Sequence, residues 1–207
     1  YRVYGHRFWW PARTPFEMVV GAVLTQNVRW ERVEQSLRLL ERVGYLSPDA
    51  LARANPKDLV PLLRPVGYYS RKAPLLVRIA QWYLAHHRRS PDLTWREGLL
   101  EIHGVGPETA DSILLYAFRL PRFVVDAYTR RILGRVYGRP GPWDARYETF
   151  QAWIEARLPR DVPLYQDFHA QLVEVGKQAC RKRTPRCERC PLRKVCAYAL
   201  RDGREAS

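Results

Sequence analysis

Four cysteines stand within 17 residues near the end of this 207-residue chain, at Cys180, Cys187, Cys190 and Cys196, in the pattern C-x6-C-x2-C-x5-C. They are the only cysteines present. A chain without secretory features rarely uses such a cluster for disulfides, and four thiolates in one loop-rich segment usually bind a metal. Thiolate coordination by itself allows zinc or an iron–sulfur cluster. A zinc ribbon separates two C-x2-C knuckles, and this chain has one. A site ligated by four thiolates leaves no position open for a substrate, so its role reads as structural. The same loop carries Arg181, Lys182, Arg183, Arg186, Arg189, Arg193 and Lys194. Tied down, it would present a rigid basic surface to phosphates.

The basic character is general. Net charge is +14, and only five of the 35 basic residues are lysines: Lys57, Lys72, Lys177, Lys182 and Lys194. Arginine binds phosphate bidentately and stacks on bases, so a polyanionic partner, most often nucleic acid, is expected. A GC-rich or thermophilic source would produce the same arginine bias. Apolar residues make up 46% of the chain, enough for a buried core. No apolar run approaches the roughly 20 residues needed to span a bilayer, and no signal peptide is visible. The expectation is a monomeric, cytoplasmic, nucleoid-associated prokaryotic protein with no membrane partner.

The hydrophobic periods are helical and predict an all-α fold. Residues 15–27 are apolar on nearly every side, as in a buried central helix. Residues 30–43 are amphipathic. Further helices are expected over 49–54, 56–63, about 70–87, 94–102, 107–118, 125–137, 145–158 and 162–176. Phe123-Val124-Val125 is the one strand-like run and is too short to form a sheet.

Between two of these helices lies Ile102-His-Gly-Val-Gly-Pro-Glu-Thr-Ala110. Gly104 and Gly106 permit a tight turn, Pro107 suits a first helical position, and amides at a helix start can hold a phosphate. Alone, this reads as an ordinary helix–helix turn. It is followed by Val125-Asp126, and Asp126 alone reads most simply as a helix N-cap. The hairpin, the Val-Asp pair and the cysteine pattern together resemble the helix–hairpin–helix (HhH-GPD) DNA glycosylases of the endonuclease III type. His103 stands where that family usually has proline. The resemblance covers about residues 8–196.

The resemblance implies a two-domain endonuclease III-like fold. Residues 8–120 would form a six-helix barrel with the hairpin at about 94–119. Residues 1–7 and 121–207 would form the cluster domain, with the cluster loop at 180–196. DNA would lie across the cleft, and the cysteines would hold a [4Fe–4S] cluster in preference to zinc. Asp126 becomes the catalytic carboxylate, and Gly104, Val105 and Gly106 the phosphate-binding hairpin. Gln26 and Tyr68 become the side chains that enter the duplex when a base flips out. Their bland alternatives are a helix cap and a core tyrosine.

Strand-cutting members form a Schiff base through a hairpin lysine. Here that position holds Glu108, and no lysine lies between Lys72 and Lys177. Arginine stays protonated and cannot substitute. A monofunctional glycosylase for double-stranded DNA with a damaged or mismatched base is therefore expected. The runs Leu24–Trp30 and VVDAYTRRI resemble the branch that removes 3-methyladenine. By that likeness Trp9, Trp10 and Trp30 would line the base pocket, where indoles attract a cationic base. Equally, they could close a small core. Two alternatives stand beside this reading: a bifunctional endonuclease III for oxidised pyrimidines, and a non-catalytic damage-binding module.

Overall fold

The computed structural model describes residues 2–7, 10–138 and 141–202. Every regular element among them is helical. The chain divides into two compact units, residues 10–120 and residues 1–9 with 121–207.

Within residues 10–120, helix α1 (Pro15–Leu24) is the central element. It starts where the sequence dictates: the Thr14 side chain accepts from the Glu17 N–H at 3.1 Å, and Pro15 opens the first turn. Phe16 through Leu24 are all buried. The helix stops three residues earlier than its apolar run suggests: Thr25 is its C-cap, and Asn27 then takes the left-handed conformation at φ +57. Amphipathic α2 (Trp30–Arg42) follows, then α3 (Pro48–Arg53) and α4 (Pro56–Leu59), capped by Ser47 and Asn55. A 3-10 turn, Pro61–Val66, leads to α5 (Tyr69–His86). One apolar cluster from Phe16 to Ala117 fills this unit. Each fully buried leucine in it contributes about 1.5–3 kcal/mol.

The hairpin helices are α6 (Trp95–Glu101) and α7 (Pro107–Ser112). Beyond Ser112 the expected continuous helix widens into a π turn, Ile113–Ala117. There the Phe118 N–H reaches back five residues to Ile113 O at 3.3 Å. Ile113, Leu114 and Leu115 of this turn are all fully buried.

In the other unit, Phe123, Val124 and Val125 are buried outside any helix, and no strand is present among the described residues to pair with them. Helical side chains satisfy them instead. Phe123 N–H donates to Glu155 Oε1 at 2.8 Å, Gln151 Nε2 donates to Phe123 O at 2.7 Å, and Val125 N–H donates to Tyr147 Oη at 3.1 Å. Helices α8 (Ala127–Tyr137), α9 (Tyr147–Glu155), α10 (Val162–Gln178) and α11 (Ala197–Asp202) complete it. Gly176 lets α10 approach α8, since a Cβ there would lie 2.1 Å from Tyr128 Cδ1. No helix among the described residues is long and apolar enough to cross a membrane.

Candidate active site

The hairpin turn requires one of its two glycines for backbone reasons. Gly104 has φ +99, and a Cβ there would meet Leu75 Cδ2 at 3.1 Å. Gly106 is extended (φ −98, ψ 174), with open space around a Cβ, so it needs no glycine on these grounds. The Val105 N–H is consumed within the turn by Ile102 O at 2.9 Å. The carbonyls are claimed from outside it: His103 O accepts from Arg78 Nη2 at 2.9 Å, and Gly104 O from Gln26 Nε2 at 3.0 Å. Beneath the turn, Arg96 Nε and Nη2 hold the carboxylate of fully buried Asp111 at 2.8 and 3.2 Å, joining α6 to α7. Glu108 is exposed in the first turn of α7.

Gln26 lies beyond α1 and does not cap it. Its amide nitrogen donates to the hairpin, at Gly104 O and at Thr109 Oγ1 (2.9 Å). Tyr68 is 66% exposed, so it is no core residue, and it precedes α5 in the left-handed region with φ +48. Asn27, beside Gln26, is also left-handed at φ +57. Sequence reasoning missed the residue that links these loops. Lys72 is 3% exposed, and its Nζ donates to Leu24 O at 2.9 Å, Gln26 O at 3.1 Å and Val66 O at 3.5 Å. Burial lowers its pKa to about 8. The available signal was its place on the buried stripe Lys72, Leu75, Leu76, Ile79, at helical spacing.

Trp10 and Trp30 come together edge to face, with centroids 5.8 Å apart, and Tyr116 of the π turn packs on Trp10 at 5.3 Å. All three are partly buried at the margin of the core. The pair sits over Gly21, where a Cβ would approach Trp10 Nε1 to 3.1 Å and Trp30 to 3.6 Å. Trp10 has φ +93, a conformation that bulky residues avoid. Trp30 Nε1 donates to Glu34 Oε1 at 3.0 Å. Trp9 lies outside the described residues. Tyr116 carried no separate signal in the sequence.

Asp126 does cap α8, its Oδ1 accepting from the Thr129 N–H at 2.7 Å. Its Oδ2 stands 3.5 Å from Nε2 of His169, a residue 3% exposed on α10. Burial pushes the Asp126 carboxyl upward. The hydrogen bond and charge of His169, with the Thr129 amide, outweigh it and hold the group below the ordinary carboxylate value. The helix cap on Oδ1 and the histidine beside Oδ2 thus both favour the ionised carboxylate. His169 was also missed, because a single histidine on an apolar helix face reads as a core residue.

None of the four cysteines is in a disulfide. Their segment has little regular structure, with 3-10 turns at Cys187–Arg189 and Arg193–Val195. Burial raises the Cys190 thiol, and the nearby Cys180 and Cys196 raise it further. Thiols close enough to repel when ionised suit a cationic group. No set of three or more metal-ligating side chains is gathered around one point among the described residues. Helix α8 holds the loop by two arginines. Arg131 Nε donates to Cys180 O at 2.8 Å. Arg135 donates to Cys180 Sγ at 3.2 Å, Arg181 O at 2.7 Å and Lys182 O at 2.9 Å. No sequence pattern singled out these two arginines from the rest.

Comparison with known proteins gives this geometry a family. Residues 20–155 match the HhH-GPD superfamily base excision DNA repair protein family. A Methanocaldococcus jannaschii protein assigned by name to the DNA repair glycosylases is 38% identical over 203 residues, covering 93% of this chain and 90% of that one. A solved non-covalent endonuclease III–DNA complex has the same fold, with a TM-score of 0.80 at 24% identity, covering 97% of this chain and 91% of that one. The H. pylori 3-methyladenine DNA glycosylase solved with 1,N6-ethenoadenine is 30% identical with a TM-score of 0.70, covering 82% of this chain and 88% of that one. The chain belongs to the HhH-GPD superfamily of base excision DNA repair proteins, with an endonuclease III-like all-α fold.

Proposed function

We propose that this protein is a monofunctional DNA N-glycosylase that binds double-stranded DNA, takes a damaged base out of the stack and hydrolyses its N-glycosidic bond. The observation that carries the reading is Asp126, a carboxylate held ionised, with Oδ1 committed to the helix cap and Oδ2 toward His169. As the bond to the base breaks, the base leaves with the bonding electrons and C1′ becomes oxocarbenium-like. A fixed carboxylate stabilises that charge. Water then adds to C1′, and its proton passes to Asp126 or to solvent.

Hydrolysis without strand cleavage fits the amines available. Glu108 occupies the lyase position. Lys72 has the lowered pKa that marks Schiff-base lysines, but its Nζ is bonded to three backbone carbonyls. Alkylated purines are the preferred substrate class. Trp10, Trp30 and Tyr116 supply aromatic rings for a cationic base, and the 30%-identical H. pylori protein is a 3-methyladenine DNA glycosylase. Gln26 and Tyr68 are assigned to fill or brace the gap. Gln26 retains its amide oxygen to meet an orphaned base, since its nitrogen is engaged by the hairpin. The hairpin from Gly104 to Gly106 is assigned to a backbone phosphate, with the Val105 amide excluded because the turn uses it.

Cys180, Cys187, Cys190 and Cys196 would hold a [4Fe–4S] cluster. Bound there, it would order the basic loop and supply no chemistry to the glycosidic bond. Brown protein with broad absorbance at about 400 nm would support it, and colourless zinc-loaded protein would refute it.

The test of function is release of methylated purines from dimethyl sulfate-treated duplex DNA. Wild type should release 3-methyladenine, and Asp126→Asn should fall by about 10²–10⁴-fold while binding the duplex as before, because asparagine still caps the helix. Equal release by both proteins would remove Asp126 from the reaction. No release by wild type from methylated, deaminated, oxidised or mismatched duplexes would leave the damage-binding alternative.

A further inference from the structure

We infer that Lys72 is a positioning residue for duplex opening: its buried ammonium fastens together the backbones of the two loops that carry Gln26 and Tyr68, so that both side chains enter DNA as one fixed unit. The inference rests on the proposed insertion of those two residues.

An ammonium at 3% exposure is several kcal/mol worse off than in water unless polar partners replace the solvent. The partners here are three backbone oxygens from two separate stretches, Leu24 O and Gln26 O at and just beyond the end of α1, and Val66 O from the turn before Gly67-Tyr68. A helix end needing only a cap would take the first two. The third comes from the other loop, and one point charge with three donors satisfies all of them.

The second observation is independent of the lysine. Each loop contains a non-glycine residue in the left-handed region, Asn27 at φ +57 and Tyr68 at φ +48. That conformation is disfavoured for residues with a side chain, for tyrosine more than for asparagine, and persists where its surroundings hold it. Near Asn27 the holding contacts are Lys72 on Gln26 O and the Gln26 side chain on Gly104 O and Thr109 Oγ1. Near Tyr68, the Lys72 ammonium on Val66 O is joined by the Arg71 and Lys72 amides on Tyr68 O, each at 3.0 Å. Lys72 is thus the residue common to both sets. Its three acceptors also explain why its lowered pKa does not make it a nucleophile. Side chains that must part a base pair work best when their separation is set before DNA arrives. Two independently mobile loops would bind phosphates equally well and insert poorly.

The test needs no knowledge of the lesion. The probe is a duplex with a tetrahydrofuran abasic analogue opposite 2-aminopurine, whose fluorescence reports stacking of the estranged base. Wild type should change the fluorescence on binding, and the double variant Gln26→Ala/Tyr68→Ala should lose most of that change. Lys72→Met should lose at least about half of it with Kd raised less than threefold, since phosphate contacts dominate affinity. Lys72→Gln, which keeps two donors for the carbonyls, should recover part of the signal, and it carries the comparison if Lys72→Met does not fold. If wild type gives no change, or the double variant keeps the full change, the insertion reading fails and takes this proposal with it. If the double variant loses the signal while Lys72→Met keeps it, only the role of Lys72 is overturned. A Tm loss with Kd raised more than tenfold in both Lys72 variants would also overturn it, leaving Lys72 as a fold residue.

Discussion

The two units of this protein hold their candidate functional groups in opposite ways. In residues 10–120 one apolar core supports Trp10, Asn27 and Tyr68 at positive φ, which side chains disfavour, and Gly104 at a positive φ that glycine adopts freely. Cationic and amide side chains then fasten that backbone by its carbonyls: Lys72 on Leu24, Gln26 and Val66, Arg78 on His103, and Gln26 on Gly104. In the other unit the carboxylate sits at the regular start of a helix, where any N-cap aspartate would sit, and the environment is supplied by one buried histidine. The same helix carries Arg131 and Arg135, which hold the cysteine loop. The difference teaches where strain belongs in the proposed function. Parts assigned to press against a duplex are held in strained backbone, and the part assigned to the chemistry is held in relaxed backbone.

The contrast can be broken by substitution. The largest effect is expected at Asp111. Replacing it with alanine removes both carboxylate oxygens that Arg96 holds in this buried ion pair, which should cost about 3–5 kcal/mol and lower Tm by about 10 °C. A change under 1 kcal/mol would mean that the hairpin does not depend on its buried ion pair. Next is Arg135→Leu. It removes charged hydrogen bonds each worth about 1.5–3 kcal/mol before solvent screening. Amide exchange near residues 180–183 should quicken by about tenfold or more, with residues 10–120 unchanged. Exchange that rises in both units alike would deny that α8 holds the loop locally.

The smallest effect concerns pH. The Asp126 carboxyl is depressed in the folded protein, so its contribution to stability is present above the ordinary carboxylate value near 4 and is lost as pH falls below it. His169→Gln removes the main opposing influence and leaves burial to push the group up. The acid limb of base release should move to higher pH, with the plateau rate at neutral pH changed less than the limb. An unmoved limb would show that another group controls it.

Much of this architecture was legible in the amino-acid order. Thr14, Ser47, Asn55 and Pro107 mark helix starts, and the hydrophobic periods give an all-helical chain with no sheet. The π turn was hidden, because Ile113-Leu114-Leu115 fits a buried helix of any pitch. Asp126 and Glu108 could be singled out by their place after and within a hairpin. His169, Tyr116 and Arg135 could not, and Lys72 showed only as a member of a buried helical stripe. Each acts through partners distant in sequence, such as Leu24 for Lys72 and Asp126 for His169, and no local spacing encodes those pairs. The two hairpin glycines also looked equivalent until the left-handed φ fell on Gly104 alone.

The central claim is that this chain hydrolyses a glycosidic bond without passing through an amine adduct. Borohydride added during reaction with methylated duplex DNA tests it most directly. The account predicts released 3-methyladenine, an intact strand bearing an abasic site, and no covalent protein–DNA complex above the level of the Asp126→Asn control. A complex accumulating in proportion to base release would contradict it, and would require that Lys72 or another amine leave its present partners and attack the sugar.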